Sequence, residues 1–550
     1  MPGLCTLTRG LSSDTSLKGA DADQTRAKRR AQGAFFTPAA LVSFVVESAL
    51  DRRFERGDVT WHAEGYPHVR ILDPSAGDGR FLVAAARSLV ARGIALGHAV
   101  NEQAIRRHCL VAIERDEAYA EIARGHLCGE ATVHTSEALL SDVVANASID
   151  VILGNPPYLR SIALGGVDAN LRDQLRNRYA ATSHGEWDLY AAFLEQGLRW
   201  LRPGGVLGMV VPSRWWTAKW AGPLRAWLAE ERAVSALVDF GGAQIFSDAT
   251  VYASVCFAGA EPAAQVEIAR LDQGEWAIGQ IAQGELGGTE PWDLAIGSAR
   301  DFVAKVRSQG TPLGEIARIA KGTGTNADSV FLVESNEAGV EPELLHGVLR
   351  GRDVLPMGTV PAWPKLLVPY HPGGALISPE DMQESHPNAY AYLLRHRRVL
   401  EAREGGRFAG ARFYCFGRPQ NLALLRETQT KVVVPDVTRD GRALIDRSGA
   451  MVLDSAYAIR LFAKAPICHE TLCGVLNSRL VRLWLGSQGV PLRGGYTRMK
   501  TAYLTGLPMP LPSAATQKIA ELVRRGTSSD ALDEQVRLAY ALPRALWEEG

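Results

Sequence analysis

Four consecutive residues carry the most specific chemistry in the chain. In Asp150-Val151-Ile152-Leu153-Gly154-Asn155-Pro156-Pro157-Tyr158 an apolar strand is stopped by two prolines, which hold the backbone extended. A turn this rigid can present the Asn155 amide and the Pro156 carbonyl to one point, with the Tyr158 ring beside it. Two acceptors converging under an aromatic face suit a planar substrate bearing an NH2 group. The exocyclic amine of adenine is a weak nucleophile, because its lone pair is delocalised into the ring. Acceptors that hold its two hydrogens favour a pyramidal nitrogen and turn the lone pair towards an electrophile. A strong general base is not needed, since the product amine can shed its proton after transfer.

A second cluster lies about eighty residues earlier. Ile71-Leu72-Asp73-Pro74-Ser75-Ala76-Gly77-Asp78-Gly79-Arg80-Phe81 reads as a strand, a turn and the start of a helix. Gly77 and Gly79 let a ligand approach the backbone, and the helix start offers unpaired N–H groups. The spacing is neither GxGxxG nor GxxxxGK[ST], which disfavours NAD and ATP. In Val111-Ala112-Ile113-Glu114 the acidic residue stands where a second strand ends. In doubly wound sheets a carboxylate at that place accepts bonds from ribose hydroxyls.

The elements that must position these residues follow an α/β rhythm. Apolar runs at Val69–Leu72, Leu110–Ile113, Ile149–Leu153, Gly205–Val211, Val234–Asp239 and Val251–Phe257 alternate with helical segments. That pattern predicts a doubly wound, Rossmann-like parallel sheet. Thr37-Pro38 reads as the N-cap and first position of a helix through Val46. The rhythm fades near residue 265, so 31–265 is expected as one domain, 266–311 as a connector, and 312–512 as a second, irregular α+β domain. Residues 513–550 have helical spacing, and the polar residues 1–30 read as a mobile tail. With 46% apolar and 22% charged residues, and 60 basic against 60 acidic, the chain is globular and not uniformly basic. No apolar run reaches the roughly 18 residues of a membrane helix. The start lacks a secretory pattern, and the seven cysteines form no CxxC pair. Reduced thiols in the cytoplasm are expected, without a disulfide scaffold or a metal site.

The order of these motifs resembles that of the S-adenosylmethionine-dependent amino-methyltransferases. The closest match is the gamma class of DNA adenine methyltransferases, typified by the TaqI modification enzyme. Gly33-Ala34-Phe35-Phe36-Thr37-Pro38 comes first, then the Gly turn, Glu114 and Asn155–Tyr158. Asp188-Leu189-Tyr190-Ala191-Ala192-Phe193 looks like the family helix beyond the catalytic turn. The resemblance covers residues 31–260 closely and 312–512 more loosely. It implies S-adenosyl-L-methionine as cofactor and methylation of the N6 of an adenine flipped out of duplex DNA, in a restriction–modification or phage-defence setting. By the resemblance, Asn155, Pro156, Pro157 and Tyr158 are the catalytic turn. Thr37 with Asp73, Pro74, Ser75, Ala76, Gly77 and Gly79 would contact the methionine part of the cofactor, and Glu114 its ribose. The family usually has Asp before an apolar pair near the cofactor's adenine; here Glu137 precedes Ala138-Leu139, with Ser136 as a rival. Tyr158 would stack on the target base, with Phe257 or Tyr252 opposite.

Extruding a base costs a few kcal/mol that protein contacts must offset, and the second domain is expected to supply them. From Thr471 to Thr505 the chain has Arg479, Arg482, Arg493, Arg498 and Lys500 and no acidic residue. Arg412 and Arg418 flank an aromatic run, and Lys321–Asn326 is a further Gly-containing loop. Arg412, Arg418, Arg493, Arg498 and Lys500 are the expected DNA contacts. Double-stranded DNA is the expected partner, with a separate restriction endonuclease or defence subunits beside it. RNA adenine methylation and protein glutamine methylation remain as alternatives, since both share the core chemistry. A non-enzymatic DNA-binding adaptor is a further alternative, and the intact turns at Asp73–Gly79 and Asn155–Tyr158 speak against it.

Overall fold

The computed structural model describes residues 37–549 apart from 247–251, 273, 335–338, 357, 359, 363, 489–495 and 527–528. Two compact units meet at Ile296/Gly297. The first is built on a nine-stranded sheet. Its strands are β1 (Ile71–Asp73), β2 (Leu110–Glu114), β3 (Thr132–Thr135), β4 (Ile149–Gly154), β5 (Leu201–Pro212), β6 (Val234–Asp239), β7 (Ala253–Gly259), β8 (Gln265–Asp272) and β9 (Glu275–Ala282). Their spatial order is β3-β2-β1-β4-β5-β7-β6-β8-β9. β1 pairs in parallel with both β2 and β4, and β4 with β5, whereas β7 runs antiparallel between β5 and β6.

Strands covered on both faces are mostly apolar, and β1 and β4 are buried at every position, their carboxylates Asp73 and Asp150 included, with Asp150 paired to Arg53 at 3.1 Å. One face packs Leu41, Val45, Leu82, Ala85 and Phe257 beneath the helices Ala39–Phe54 and Arg80–Ala95. The other packs Trp187, Tyr190, Leu194, Trp215 and Leu228. The chain order reverses at β1, with β2 on one side and β4 on the other. Such a switch point opens a crevice at the carboxyl ends of the strands.

Two expectations need correction. The sheet does not end near 265: β8 pairs in parallel with β6, and β9 antiparallel with β8, inside the segment read as a connector. β9 is largely exposed, so it lacks the apolar run by which the inner strands are recognised. The first helix begins at Ala39 with Pro38 as its cap residue, and no side chain caps it. Thr37 is not the N-cap, because its hydroxyl is engaged elsewhere. The tail at 1–30 and Gly33–Phe36 lie outside the described residues.

The second unit mixes short strands and helices around two cores. An antiparallel sheet pairs Ala317–Lys321, Ala456–Leu461, Lys431–Pro435 and Leu444–Asp446. A second sheet joins Leu332–Val333, Lys365–Leu367, Leu345–Leu349 and Met451–Val452. The helix Ala514–Arg525 is closed at its start by the reciprocal Ser513/Thr516 bonds and at its end by Gly526 in a left-handed conformation. Its Ile519 and Val523 pack on the helix His469–Leu476, where a Cβ on Gly474 would lie 2.4 Å from Ile519 Cγ2. The C-terminal helices are therefore part of this unit's core. Among the described residues no helix is long and apolar enough to cross a membrane, and no group of His, Cys, Asp and Glu could hold a metal.

Candidate functional site

The carboxyl ends of β1, β2, β3 and β4 bring the sequence motifs to one edge. Asp73 ends β1 fully buried; its Oδ1 accepts the Ser75 amide at 3.1 Å, while its Oδ2 has no hydrogen-bond partner. Burial pushes this carboxyl up to about 8, against the Ser75 amide, which lowers it. Ser75 Oγ, two residues on, is also buried without a partner. Gly154 at the end of β4 must be glycine, because a Cβ there would lie 2.8 Å from Asp73 Oδ1. The turn is tied to β2 by Ala76 N–H, which donates to the Ile113 carbonyl at 3.0 Å. Glu114 braces it from the same strand, accepting the Gly77 amide at 2.8 Å and the Asp116 amide at 2.9 Å. A Cβ on Gly77 would meet nothing within 4 Å, so the turn's backbone opens onto free space.

Glu137 follows β3, half-buried, with Oε2 3.4 Å from an Arg115 nitrogen. Burial raises its carboxyl above the usual range, opposed by Arg115. Ser136 is held through its backbone, whose N–H donates to the Glu114 carbonyl at 3.0 Å. Two orphaned buried oxygens, an open glycine turn and a braced carboxylate fit a ligand with a cationic amino-acid part and a ribose.

Beside this turn runs a chain of hydrogen bonds through Asn155. Its Nδ2 donates to Thr37 Oγ1 at 3.0 Å, and its Oδ1 accepts the Tyr158 hydroxyl at 2.6 Å. The Tyr158 hydroxyl also lies 3.3 Å from the Val210 carbonyl of β5. Burial holds the Tyr158 phenol well above its ordinary pKa, so it remains a donor. Thr37 is fixed in turn by Arg80, whose Nη1 donates to its carbonyl at 2.6 Å while Nε and Nη2 grip Asp78. The motif pattern alone does not single out Arg80, although its position directly after Gly79 is a usable signal.

Tyr158 lines a cavity of about 450 Å³ with Tyr190, Trp220, Tyr252, Asp188 and Arg214. Tyr190 meets Tyr158 edge-on, with centroids 6.0 Å apart, and the Arg214 guanidinium sits 5.8 Å from the Tyr252 ring centre. Phe257 is not part of this cavity. It is 0% exposed in the middle of β7 and packs edge-on against Phe44 at 6.3 Å, under the helix Ala39–Phe54. Of the two aromatic candidates to face Tyr158, the structure brings Tyr252 to the cavity and gives Phe257 to the core.

In the second unit three basic segments converge. Gly324 and Arg418 exchange backbone bonds of 3.0 and 2.8 Å, which join the loop Lys321–Asn326 to Arg412–Arg418. Lys321 Nζ lies 3.8 Å from Asp436 Oδ2, and the Asp436 carbonyl accepts the Met499 amide at 2.9 Å. Thr497–Arg498 pairs with Val437–Thr438 beside it. Arg412, Arg418 and Arg498 are exposed, and Lys500 lies 5.6 Å from the Tyr503 ring centre. Arg493 lies outside the described residues. Phe413, Tyr414 and Phe416 are buried core residues, so only the arginines of that cluster reach solvent. Gly322 serves packing, since a Cβ there would lie 2.0 Å from the Leu453 carbonyl oxygen.

Comparisons with known proteins reach both units of the chain. Residues 108–246 match the Eco57I restriction-modification methylase family, and residues 388–509 match the TaqI-like C-terminal specificity domain. The chain is 23% identical over 533 residues to the Type II methyltransferase M.PaeR7I of Pseudomonas aeruginosa, covering 89% of this chain and 88% of that protein. It is 25% identical over 556 residues to the Type II methyltransferase M.XhoI of Xanthomonas vasicola, covering 93% and 97%. Its fold is similar to that of the Type IIL restriction-modification enzyme MmeI solved with DNA, at a TM-score of 0.59 and 13% identity over 94% of this chain and 73% of that one. The chain thus carries an Eco57I-type methylase domain followed by a TaqI-like C-terminal specificity domain, and its relatives named above are Type II methyltransferases.

Proposed function

We propose that this protein methylates the exocyclic N6 of an adenine extruded from duplex DNA at a specific site, within a restriction–modification system. The observation that carries this reading is the Thr37–Asn155–Tyr158 chain, which ties the Asn155 amide to a tyrosine that lines an aromatic cavity. In this reading the Asn155 Oδ1, an amide oxygen with two lone pairs, accepts from the substrate amine as well as from Tyr158. Accepting an N6 hydrogen there, together with the Pro156 carbonyl, localises the nitrogen lone pair. Tyr158 and Tyr252 offer ring faces for stacking. The proton left on nitrogen after transfer passes to water, so no strong base is required.

S-adenosyl-L-methionine, when bound, supplies a methyl group made electrophilic by its sulfonium. Asp73 and Ser75 would hold its amino-acid part, Gly77 would let it lie against the backbone, Glu114 would take the ribose, and Glu137 the adenine edge. Gly79, expected to share the role of Gly77, instead serves the turn and its packing, with φ +80° and a Cβ position 3.3 Å from Ala123 Cβ. The second unit, with Arg412, Arg418, Arg493, Arg498 and Lys500, is assigned to duplex binding and sequence choice. The test is expression in a methylation-free host, with modified bases mapped by single-molecule sequencing, for the parent and for Asn155→Ala. N6-methyladenine at one recurrent sequence, lost in the variant, is expected. Methylation confined to RNA or to protein glutamine would replace this reading by one of its alternatives.

A further inference from the structure

The cavity beside Tyr158 contains a carboxyl that the reaction described above does not use. Asp188 stands two residues before the helix Tyr190–Trp200 and is pinned to the strand-end turn by its backbone. It forms an antiparallel bridge with Arg160, and the Leu189 amide donates to the Leu159 carbonyl at 3.0 Å. The side chain lines the cavity, and its Oδ1 is buried with no hydrogen-bond partner. The indole N–H of Trp187, another lining residue, is likewise without a partner. A buried polar group left unpaired costs free energy, so a cavity of this kind gains most from an occupant that satisfies it.

We propose that Asp188 determines which base is accepted, its carboxyl hydrogen-bonding a ring nitrogen next to the exocyclic amine that Asn155 holds. This rests on the methyl-transfer reading given above and adds a specificity-determining contact to it. The ring nitrogens of adenine beside its amine are acceptors, so the carboxyl must be the donor, in its acid form. Burial pushes the Asp188 carboxyl up to about 7, against the Leu189 amide, the Arg160 guanidinium and the Leu159 amide, so the acid is well populated at neutral pH. The other charged or titratable groups lining the cavity are Arg160, Arg214, Glu186, Tyr158, Tyr190 and Tyr252, and the two arginines and Glu186 are exposed. If the contacted nitrogen is N1, guanine presents an N–H there and would meet a donor with a donor; at N7 guanine is an acceptor like adenine, and the contact would select against bases lacking that nitrogen. A site built to bond a substrate group rejects analogues that leave its buried polar atoms unpaired.

The experiment uses the full chain on duplexes whose target adenine, once mapped, is replaced by 1-deazaadenine or 7-deazaadenine. These analogues delete the two candidate acceptors one at a time. The parent is expected to lose roughly 10-fold or more in kcat/KM on one of them. Asp188→Ala should lose a similar factor on adenine and show no further loss on that analogue. Asp188→Asn, whose amide donates without titrating, should keep the analogue penalty even well above pH 7, where the parent's ionised carboxyl no longer donates. Calorimetric binding of S-adenosylmethionine checks that each variant is folded, and if Asp188→Ala fails that check the Asp188→Asn arm decides alone. Analogue penalties of the same size in parent and Asp188→Ala, or no penalty in the parent, overturn the role of Asp188. A parent that methylates no adenine duplex at all overturns the underlying reaction as well.

Discussion

Removing a single oxygen from Tyr158 asks whether the Asn155 amide works because it is held. Tyr158→Phe keeps the ring against the cavity but deletes the donor to Asn155 Oδ1, a bond of 2.6 Å. Thr37→Val deletes the acceptor for Nδ2 at the other end of the amide, a bond of 3.0 Å. A net intramolecular hydrogen bond contributes about 0.5–1.5 kcal/mol, so each single variant should slow methyl transfer by about 2- to 13-fold. With both bonds removed, the two effects combined should slow the double variant by about 5- to 150-fold. Its loss should not exceed that of Asn155→Ala, where the polar group itself is missing and about 10²- to 10³-fold is expected. Single-turnover transfer at saturating cofactor is the assay, which separates chemistry from any weaker cofactor binding in Thr37→Val. If Tyr158→Phe alone matches Asn155→Ala, the hydroxyl takes part in the reaction directly. If the double variant turns over like the parent, the orientation of Asn155 is set by something else and the reasoning fails.

Asp73 is expected to ionise when a cationic ligand settles beside it, because its carboxyl sits at about 8 when buried and half-satisfied; calorimetry at pH 7 in buffers of different ionisation enthalpy should show proton release on S-adenosylmethionine binding, absent in Asp73→Asn. Lys431 and Asp446 form a fully buried ion pair at 2.6 Å, so Asp446→Ala should destabilise the protein by about 3–5 kcal/mol in urea unfolding. Burial alone would raise the Asp446 carboxyl, but Lys431 and Ser448 outweigh it and hold it below 3.8; the stabilisation is therefore present above that value and lost as pH falls through the lower folded one, which an acid titration of the parent against the variant would reveal. Replacing Arg412, Arg418 and Arg498 by Ala should lower the slope of log affinity against log salt by about 0.9 for each phosphate no longer neutralised, and unchanged salt dependence in the triple variant would remove these residues from the duplex interface.

The legible parts of the fold are those in which burial leaves a mark on composition. β1 and β4 are buried throughout and read as apolar runs, interrupted in β4 only by Asp150, leading into Asp73 and Asn155. β9 buries only Ile281, and a strand such as Glu275-Trp276-Ala277-Ile278 gives periodicity little to register. The second unit is less legible for a different reason. Several of its strands are two or three residues long, as at Leu332–Val333 and Met451–Val452, and the latter pairs with a strand over a hundred residues away, which no local pattern encodes. Thr37 shows how tertiary demand overrides a local rule: a threonine before a proline is a good cap, yet its hydroxyl meets Asn155, 118 positions along the chain.

The alternation of side chains along β7 separates Phe257 from Tyr252, which directly precedes the strand. Residues 252 and 257 differ in parity and cannot share a face of one strand. Ala253, Val255 and Phe257 fall in the core beneath Ala39–Phe54, while Cys256 and Ala258 fall in the core that contains Trp187 and Tyr190, on the side of the cavity. Tyr252, Ser254 and Cys256 form the mixed polar parity, and Ser254 Oγ donates to the Val211 carbonyl at 2.8 Å. Ala253, Val255 and Phe257 form the wholly apolar one, which is what a sealed face under a helix requires. A strand with one sealed face and one face bordering a polar cavity should concentrate its hydroxyls on the second. On that criterion the sequence already favours Tyr252. Asp188, placed by Arg160 at the same cavity, follows the same logic: a carboxyl next to an apolar helix start is tolerable only where a ligand or water can reach it.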